Sequence, residues 1–204
     1  MRRAAGLAIG VLFAAGCTSP GVVGDGADPA APQYPAGPYG QEVGQVLPDF
    51  TVAGYRLARG HTDSTELSWD TGIKLSEYHD GAKCGCLLIT LGAPWCAACQ
   101  QEQPQLVKEV YWDPEFCVLG VLQEGTERQD MATKADVDAW TQHFNQNFNV
   151  VQGTATTRTL LSGSGGTFGL PSTLVVNPST MKVLDVVEGY NPAIHDAAAA
   201  LCSQ

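Results

Sequence analysis

An α/β fold built on a parallel core follows from the order of three patterns. Cys86-Leu87-Leu88-Ile89-Thr90-Leu91 is an apolar, partly β-branched run of strand length, which reads as a buried strand. A helix-permissive segment, Gln100 to Tyr111, follows it, and then a second apolar run, Cys117-Val118-Leu119-Gly120-Val121-Leu122. Strand, helix, strand in that order gives a right-handed crossover between parallel strands. Near the end, Thr173 to Asn177 and Lys182 to Glu188 read as two strands around the turn Pro178-Ser179-Thr180-Met181.

The chain opens on a targeting segment. Met1-Arg2-Arg3 is basic, and Ala4 to Ala15 is apolar but too short to cross a bilayer, so residues 1–16 read as a signal peptide. Arg2-Arg3 alone does not make a twin-arginine signal. Ala14-Ala15-Gly16-Cys17 resembles a bacterial lipobox, with Ala14 where leucine is commoner. The resemblance implies cleavage before Cys17 and lipidation of it, and a membrane anchor in the cell envelope. An ordinary signal peptide with a chance cysteine is the alternative, and either one exports the protein. Thr18, with no aspartate after the cysteine, implies the outer membrane where a cell has one. Residues 17–41 are rich in Gly, Pro, Ala and Asp without an apolar period, and read as a linker. Residues 42–204 are then one domain with its own core.

The formal charge is -10 at pH 7. An acidic surface argues against nucleic acid, which needs a basic patch, and suits solubility. Seven cysteines are an odd number for an exported protein. Setting Cys17 aside leaves Cys84, Cys86, Cys96, Cys99, Cys117 and Cys202.

The elements follow in order. Phe50-Thr51-Val52 and the stretch around Tyr55-Arg56-Leu57 read as short strands, with Thr65 to Trp69 a partner. Leu75 to His79 is a short turn or helix. The helix after the central strand runs from Ala97 to Trp112 with Leu106, Val110 and Tyr111 on an apolar stripe, and Pro104 inside it removes one hydrogen bond. Lys134 to Phe148 is a second helix, with Val137, Trp140, Phe144 and Phe148 at helical spacing. Val150-Val151 is a short strand and Thr154 to Leu161 a short helix. Ser162 to Thr167 is a connection too irregular to cradle a phosphate. Asn191-Pro192 starts a last helix over Ala193 to Leu201.

Trp95-Cys96-Ala97-Ala98-Cys99 stands where the central strand passes into a helix. Cys96 at a helix N-terminus meets unpaired N–H groups and the macrodipole, which favour a thiolate. Cys99, one turn on, closes a disulfide with it or resolves a mixed one. Cys-x-x-Cys alone is also half of a zinc site.

With Pro104 five residues after Cys99, this stretch resembles the active site of the thioredoxin superfamily. Gly169-Leu170-Pro171-Ser172-Thr173 resembles the loop that carries that superfamily's cis-proline. Gly44 to Phe50 and Lys74-Leu75-Ser76-Glu77-Tyr78 resemble the N-terminal extension of its TlpA/ResA-like branch. The resemblance spans roughly residues 44 to 201. It implies a thioredoxin fold, a central mixed sheet flanked by helices, with an N-terminal β extension. It implies a thiol–disulfide oxidoreductase with Cys96 attacking, Cys99 resolving, Pro171 and the backbone near Leu170 holding substrate and Trp95 walling the site. Glu102 matches a glutamate that moves protons or tunes thiol acidity in that branch; otherwise it is a solvated helix-surface carboxylate. The redox-active disulfide is the only cofactor implied. The direction implied is reduction of exported protein disulfides or of cytochrome c maturation substrates, with electrons from a membrane thiol reductase. Thr90 stands where thioredoxin has a buried aspartate, and no Lys or Arg follows Cys99.

Cys84-Gly85-Cys86 admits two readings. Parallel strands starting on one side make a Cys86–Cys117 disulfide reasonable, which leaves Cys84 for Cys202. Alternatively, Cys-x-Cys binds a soft metal. Two further functions stay open: a redox-inactive binding module with a permanent Cys96–Cys99 bond, and metal handling. The expectation for metal is none, because His61, His79, His143 and His195 are not at ligand spacing from Cys96.

Overall fold

A computed structural model of the 204-residue chain describes residues 33–57, 67–79, 84–113, 116–161 and 169–203. The signal peptide, Cys17, most of the linker, His61 and the Ser162 to Thr167 connection lie outside the described residues.

Seven strands form one sheet in the order β2-β1-β5-β4-β3-β6-β7. They are β1 (Thr51–Leu57), β2 (Leu67–Lys74), β3 (Cys86–Gly92), β4 (Phe116–Leu122), β5 (Asn149–Gln152), β6 (Ser172–Asn177) and β7 (Lys182–Glu188). β3, β4 and β5 are parallel; β6 and β7 add antiparallel on one side and β1 and β2 on the other. Among the described residues three helices connect strands, α1 (Ala97–Trp112), α2 (Lys134–Phe144) and α3 (Ala155–Leu161), and α4 (Ile194–Cys202) follows β7. The mixed sheet and the added N-terminal strands are those the sequence implied.

All seven residues of β3 are buried, as befits a central strand covered on both faces. On one face Leu87, Ile89 and Leu91 pack with Leu119, Val121, Leu174 and Val176, under Leu47, Phe50 and Leu161. On the other, Cys86 and Leu88 pack with Val118, Leu122 and Val175, under Cys99 and Leu106 of α1, Trp140 of α2 and Ala198 of α4. The alternation along β3 is the period of two that a strand imposes.

Thr51 to Leu57 makes one strand rather than two, with a register shift between Val52 and Gly54. Gly54 lies against β5 so closely that a Cβ would stand 2.4 Å from the Val150 carbonyl oxygen, and only glycine permits that approach. Arg56 donates to Asp70 at 2.8 Å and to Glu77, tying β1 to β2 and to the 3₁₀ turn Leu75–Tyr78.

The docked chain begins earlier than residue 42. The Tyr34 hydroxyl donates to the Leu47 carbonyl at 2.7 Å, and Gly40 and Val46 join by a backbone bond of 3.0 Å. A composition without an apolar period hid this, because one tyrosine side chain and backbone bonds supply the anchoring. The second helix stops at Phe144 and not at Phe148: Asn145 takes the left-handed conformation (φ 48°, ψ 54°), the usual stop for a helix. The last helix starts at Ile194, because the Asn191 side chain accepts from Ala193 N–H at 2.9 Å in a turn before it.

Candidate active site around Cys96 and Cys99

β3 ends at Gly92, and the chain turns through Pro94 and Trp95 into α1. Cys96 is the N-cap residue of α1. Its Sγ accepts the Cys99 backbone N–H at 3.1 Å, as a capping oxygen does elsewhere. A thiolate there receives a charge-assisted hydrogen bond in addition to the helix dipole. Cys96 and Cys99 are joined as a disulfide, with Cα atoms 5.2 Å apart. Cys96 is 5% exposed and Cys99 is fully buried, so the sulfur open to attack is that of Cys96.

Below the disulfide, α1 lies on β3 in register. A Cβ placed at Gly92 would stand 3.6 Å from the Cys99 Cβ and 3.8 Å from its Sγ. One turn further along α1, Glu102 reaches Thr90, the residue two before Gly92 and on the same face of β3. The Thr90 hydroxyl donates to Glu102 Oε2 at 2.8 Å, and the Thr173 hydroxyl of β6 donates to Oε1 at 3.3 Å. Glu102 is 2% exposed, which rules out a solvated surface carboxylate. Burial pushes its carboxyl above the ordinary value of 4.5, and the two hydroxyls only partly oppose this. The acid is thus carried by the helix and held by Thr90, where the family resemblance had a strand aspartate.

Pro171 is buried, and the Leu170–Pro171 bond is cis. The antiparallel register pairs Leu91 with Ser172, so Pro171 stands at the end of β3 from which the cysteines leave. Its carbonyl accepts the Gly189 N–H at 2.7 Å. Leu170 packs between the two apolar clusters.

Solved structures share this fold. The thioredoxin domain of a thiol-disulfide oxidoreductase from Bacteroides vulgatus matches with a TM-score of 0.53 at 18% identity, over 78% of this chain and 98% of that one. A thiol:disulfide interchange protein from Bacteroides sp. matches with 0.53 at 18%, over 80% and 91%. A thioredoxin-family thiol:disulfide interchange protein from Chlorobium tepidum matches with 0.53 at 16%, over 78% and 96%. The chain has a thioredoxin fold. No protein-family model and no curated protein matches it.

Within that fold the remaining cysteines pair otherwise than expected. Cys84 bonds Cys117 and Cys86 bonds Cys202. The reason is the face each side chain takes. In the β3–β4 ladder Cys86 stands opposite Phe116 and Leu87 opposite Cys117, so Cys86 and Cys117 point to opposite sides of the sheet. Cys84 lies before the strand and joins the cluster that holds Leu87, on the Cys117 side. Cys86 faces α4, where Cys202 lies in the last turn. His195, expected as a surface or loop residue, is half-buried in α4 with its ring 4.4 Å from that of Phe116.

Around Trp95 the fold adds residues that the sequence reading missed. The indole Nε1–H donates to Glu124 Oε2 at 3.1 Å, and the Arg128 guanidinium lies 4.2 Å above the ring. Glu124 also accepts from Gln129 N–H at 2.9 Å and from Arg158 at 3.2 Å. All belong to polar segments about thirty residues or more from Trp95, with no periodicity to flag them.

Proposed function

We propose that the protein is an extracytoplasmic thiol–disulfide oxidoreductase, working as a reductant on exported proteins or cytochrome c maturation substrates. The observation that carries the reading is a redox pair at a helix start with its Cys96 sulfur on a backbone N–H and a buried acid one turn behind Cys99. In the reduced protein the Cys96 thiolate attacks a substrate disulfide. One substrate sulfur leaves as thiolate and takes a proton, and a Cys96–substrate disulfide forms. Cys99 then loses its proton and attacks Cys96 Sγ. The second substrate thiol leaves, and two electrons have passed to the substrate.

Glu102 takes the Cys99 proton, directly or through water, and its raised pKa brings it nearer that of a thiol. Pro171 and Leu170 hold the substrate chain, and Trp95 walls it. Export through residues 1–16, anchoring at Cys17 and re-reduction by a membrane thiol reductase complete the proposal.

The test is disulfide reduction by the full chain and two variants. Cys96→Ala abolishes turnover, and Cys99→Ala accumulates a mixed disulfide visible on a non-reducing gel. Normal turnover by Cys96→Ala contradicts the mechanism.

A further inference from the structure

The first turns of α1, next to the cysteines, carry no cation, and one comes instead from the loop between β4 and α2. Arg128 is exposed, and its guanidinium carbon lies 4.2 Å from the ring centre of Trp95, the residue beside Cys96. It forms no hydrogen bond or ion pair with the described residues; Glu127 and Asp130 of the same loop leave it free. Arg158, the other arginine nearby, is instead bound to Glu124.

The loop that carries Arg128 is built rather than loose. Gly125 N–H donates to the Asp130 carbonyl at 2.9 Å, and Glu124 pairs with Met131 in an antiparallel bridge. Gln129 bonds Glu124 in the left-handed region (φ 72°). Thr126 donates to Asp136 Oδ1 at 3.0 Å, and Asp136 in turn closes the capping box of α2 with Thr133. Glu124 locks the same loop to the indole edge while Arg128 covers the indole face. Trp95 is thereby pinned, and a guanidinium that makes no hydrogen bond with the described residues stands over the residue next to Cys96.

We infer that Arg128 is a specificity-determining residue that selects substrate segments carrying an Asp or Glu close to the reacting cysteine. This rests on the oxidoreductase reading. A guanidinium presents paired donors that match a carboxylate, and stacking on an indole leaves its edge free to use them. The chain as a whole is acidic, with a formal charge of -10, so its overall field repels an anionic segment. At physiological salt charges are screened beyond about 8 Å, so carboxylates farther away count little, and Glu124 beside the indole is already engaged by Arg158 and the Gln129 N–H. Attraction to an acidic segment is therefore local, and it falls as salt rises.

The experiment uses the reduced full chain and three disulfide peptides identical except for Glu, Gln or Lys two residues from the cysteine. The readout is the ratio of kcat/KM between peptides, so any general change in rate cancels. The wild type favours the Glu peptide over the Gln peptide by about two- to five-fold, the size of one exposed ion pair. Arg128→Glu reverses the order towards the Lys peptide, and Arg128→Gln removes the preference. Added salt shrinks the wild-type preference. Equal rates for all three peptides in the wild type overturn the inference. So does an order that Arg128→Glu leaves unchanged, or a uniform slowing of all three, which marks an effect on the thiolate alone. Failure of the wild type to turn over even the Gln peptide overturns the oxidoreductase reading as well; turnover without preference overturns only the role of Arg128.

Discussion

The two ends of β3 carry the same bond in opposite settings. At the end that enters α1, Cys96–Cys99 spans a sequence separation of 3. At the other end, Cys84–Cys117 and Cys86–Cys202 span 33 and 116, one on each face of the sheet. A crosslink stabilises mainly by restricting the unfolded chain, and it does so more for longer loops. The chain-entropy relation gives about 2 kcal/mol for the short loop, about 4 for the middle one and about 5 for the longest. Opening the Cys96–Cys99 bond therefore costs the fold little, and opening the other two costs it much. The short-loop end also has a capping N–H for a thiolate and a buried acid nearby. The long-loop end ties a strand to a strand and a strand to a helix. Loop length separates a bond the fold can spare from bonds that hold it.

The comparison breaks most visibly under paired substitutions. Replacing Cys96 and Cys99 by alanine abolishes disulfide exchange and lowers unfolding free energy by no more than about 2 kcal/mol. Replacing Cys86 and Cys202 does the reverse: exchange persists below the melting transition, while stability falls by about 5 kcal/mol, read from denaturant midpoints. Replacing Cys84 and Cys117 costs about 4 kcal/mol by the same measurement.

Glu102 sharpens the active end. Its folded pKa is raised by burial, so its contribution to stability is fully present below about pH 4.5 and is lost as pH rises through the raised value. Glu102→Gln removes that loss. Denaturation at pH 4 and at pH 7 therefore shows the variant gaining on the wild type as pH rises; a gap that stays constant with pH contradicts the buried-acid account. The smallest effect comes from the loop over Trp95. Thr133→Ala deletes the cap of α2, where the hydroxyl accepts Asp136 N–H and donates to its carboxylate, and costs about 1 kcal/mol in denaturant unfolding.

Much of this was legible in the chain. The apolar run of β3 and the paired cysteines at the start of a helix lie in local pattern, and the cis-proline at Pro171 was implied by resemblance to the thioredoxin superfamily. The disulfide pairing was not legible, because it turns on which face each cysteine takes, and a shift of one residue reverses that. The burial of Glu102 needed the register of α1 on β3, which sets Thr90 beneath it. Thr90 read only as a missing aspartate, although a hydroxyl can hold a carboxylate arriving from elsewhere. Glu124 and Arg128 sit in a polar loop and acquire meaning only when folding brings Trp95 to them.

The most direct measurement is stepwise reduction. The oxidised full chain is equilibrated against thiol buffers of falling potential, free cysteines are blocked, and the blocked positions are mapped by mass spectrometry. The account predicts that Cys96 and Cys99 open first, as a pair, with the fold intact by circular dichroism. Cys84–Cys117 and Cys86–Cys202 then open only under far more reducing conditions, together with loss of structure. Opening of either long-range bond before Cys96–Cys99, or of all three at one potential, would contradict it.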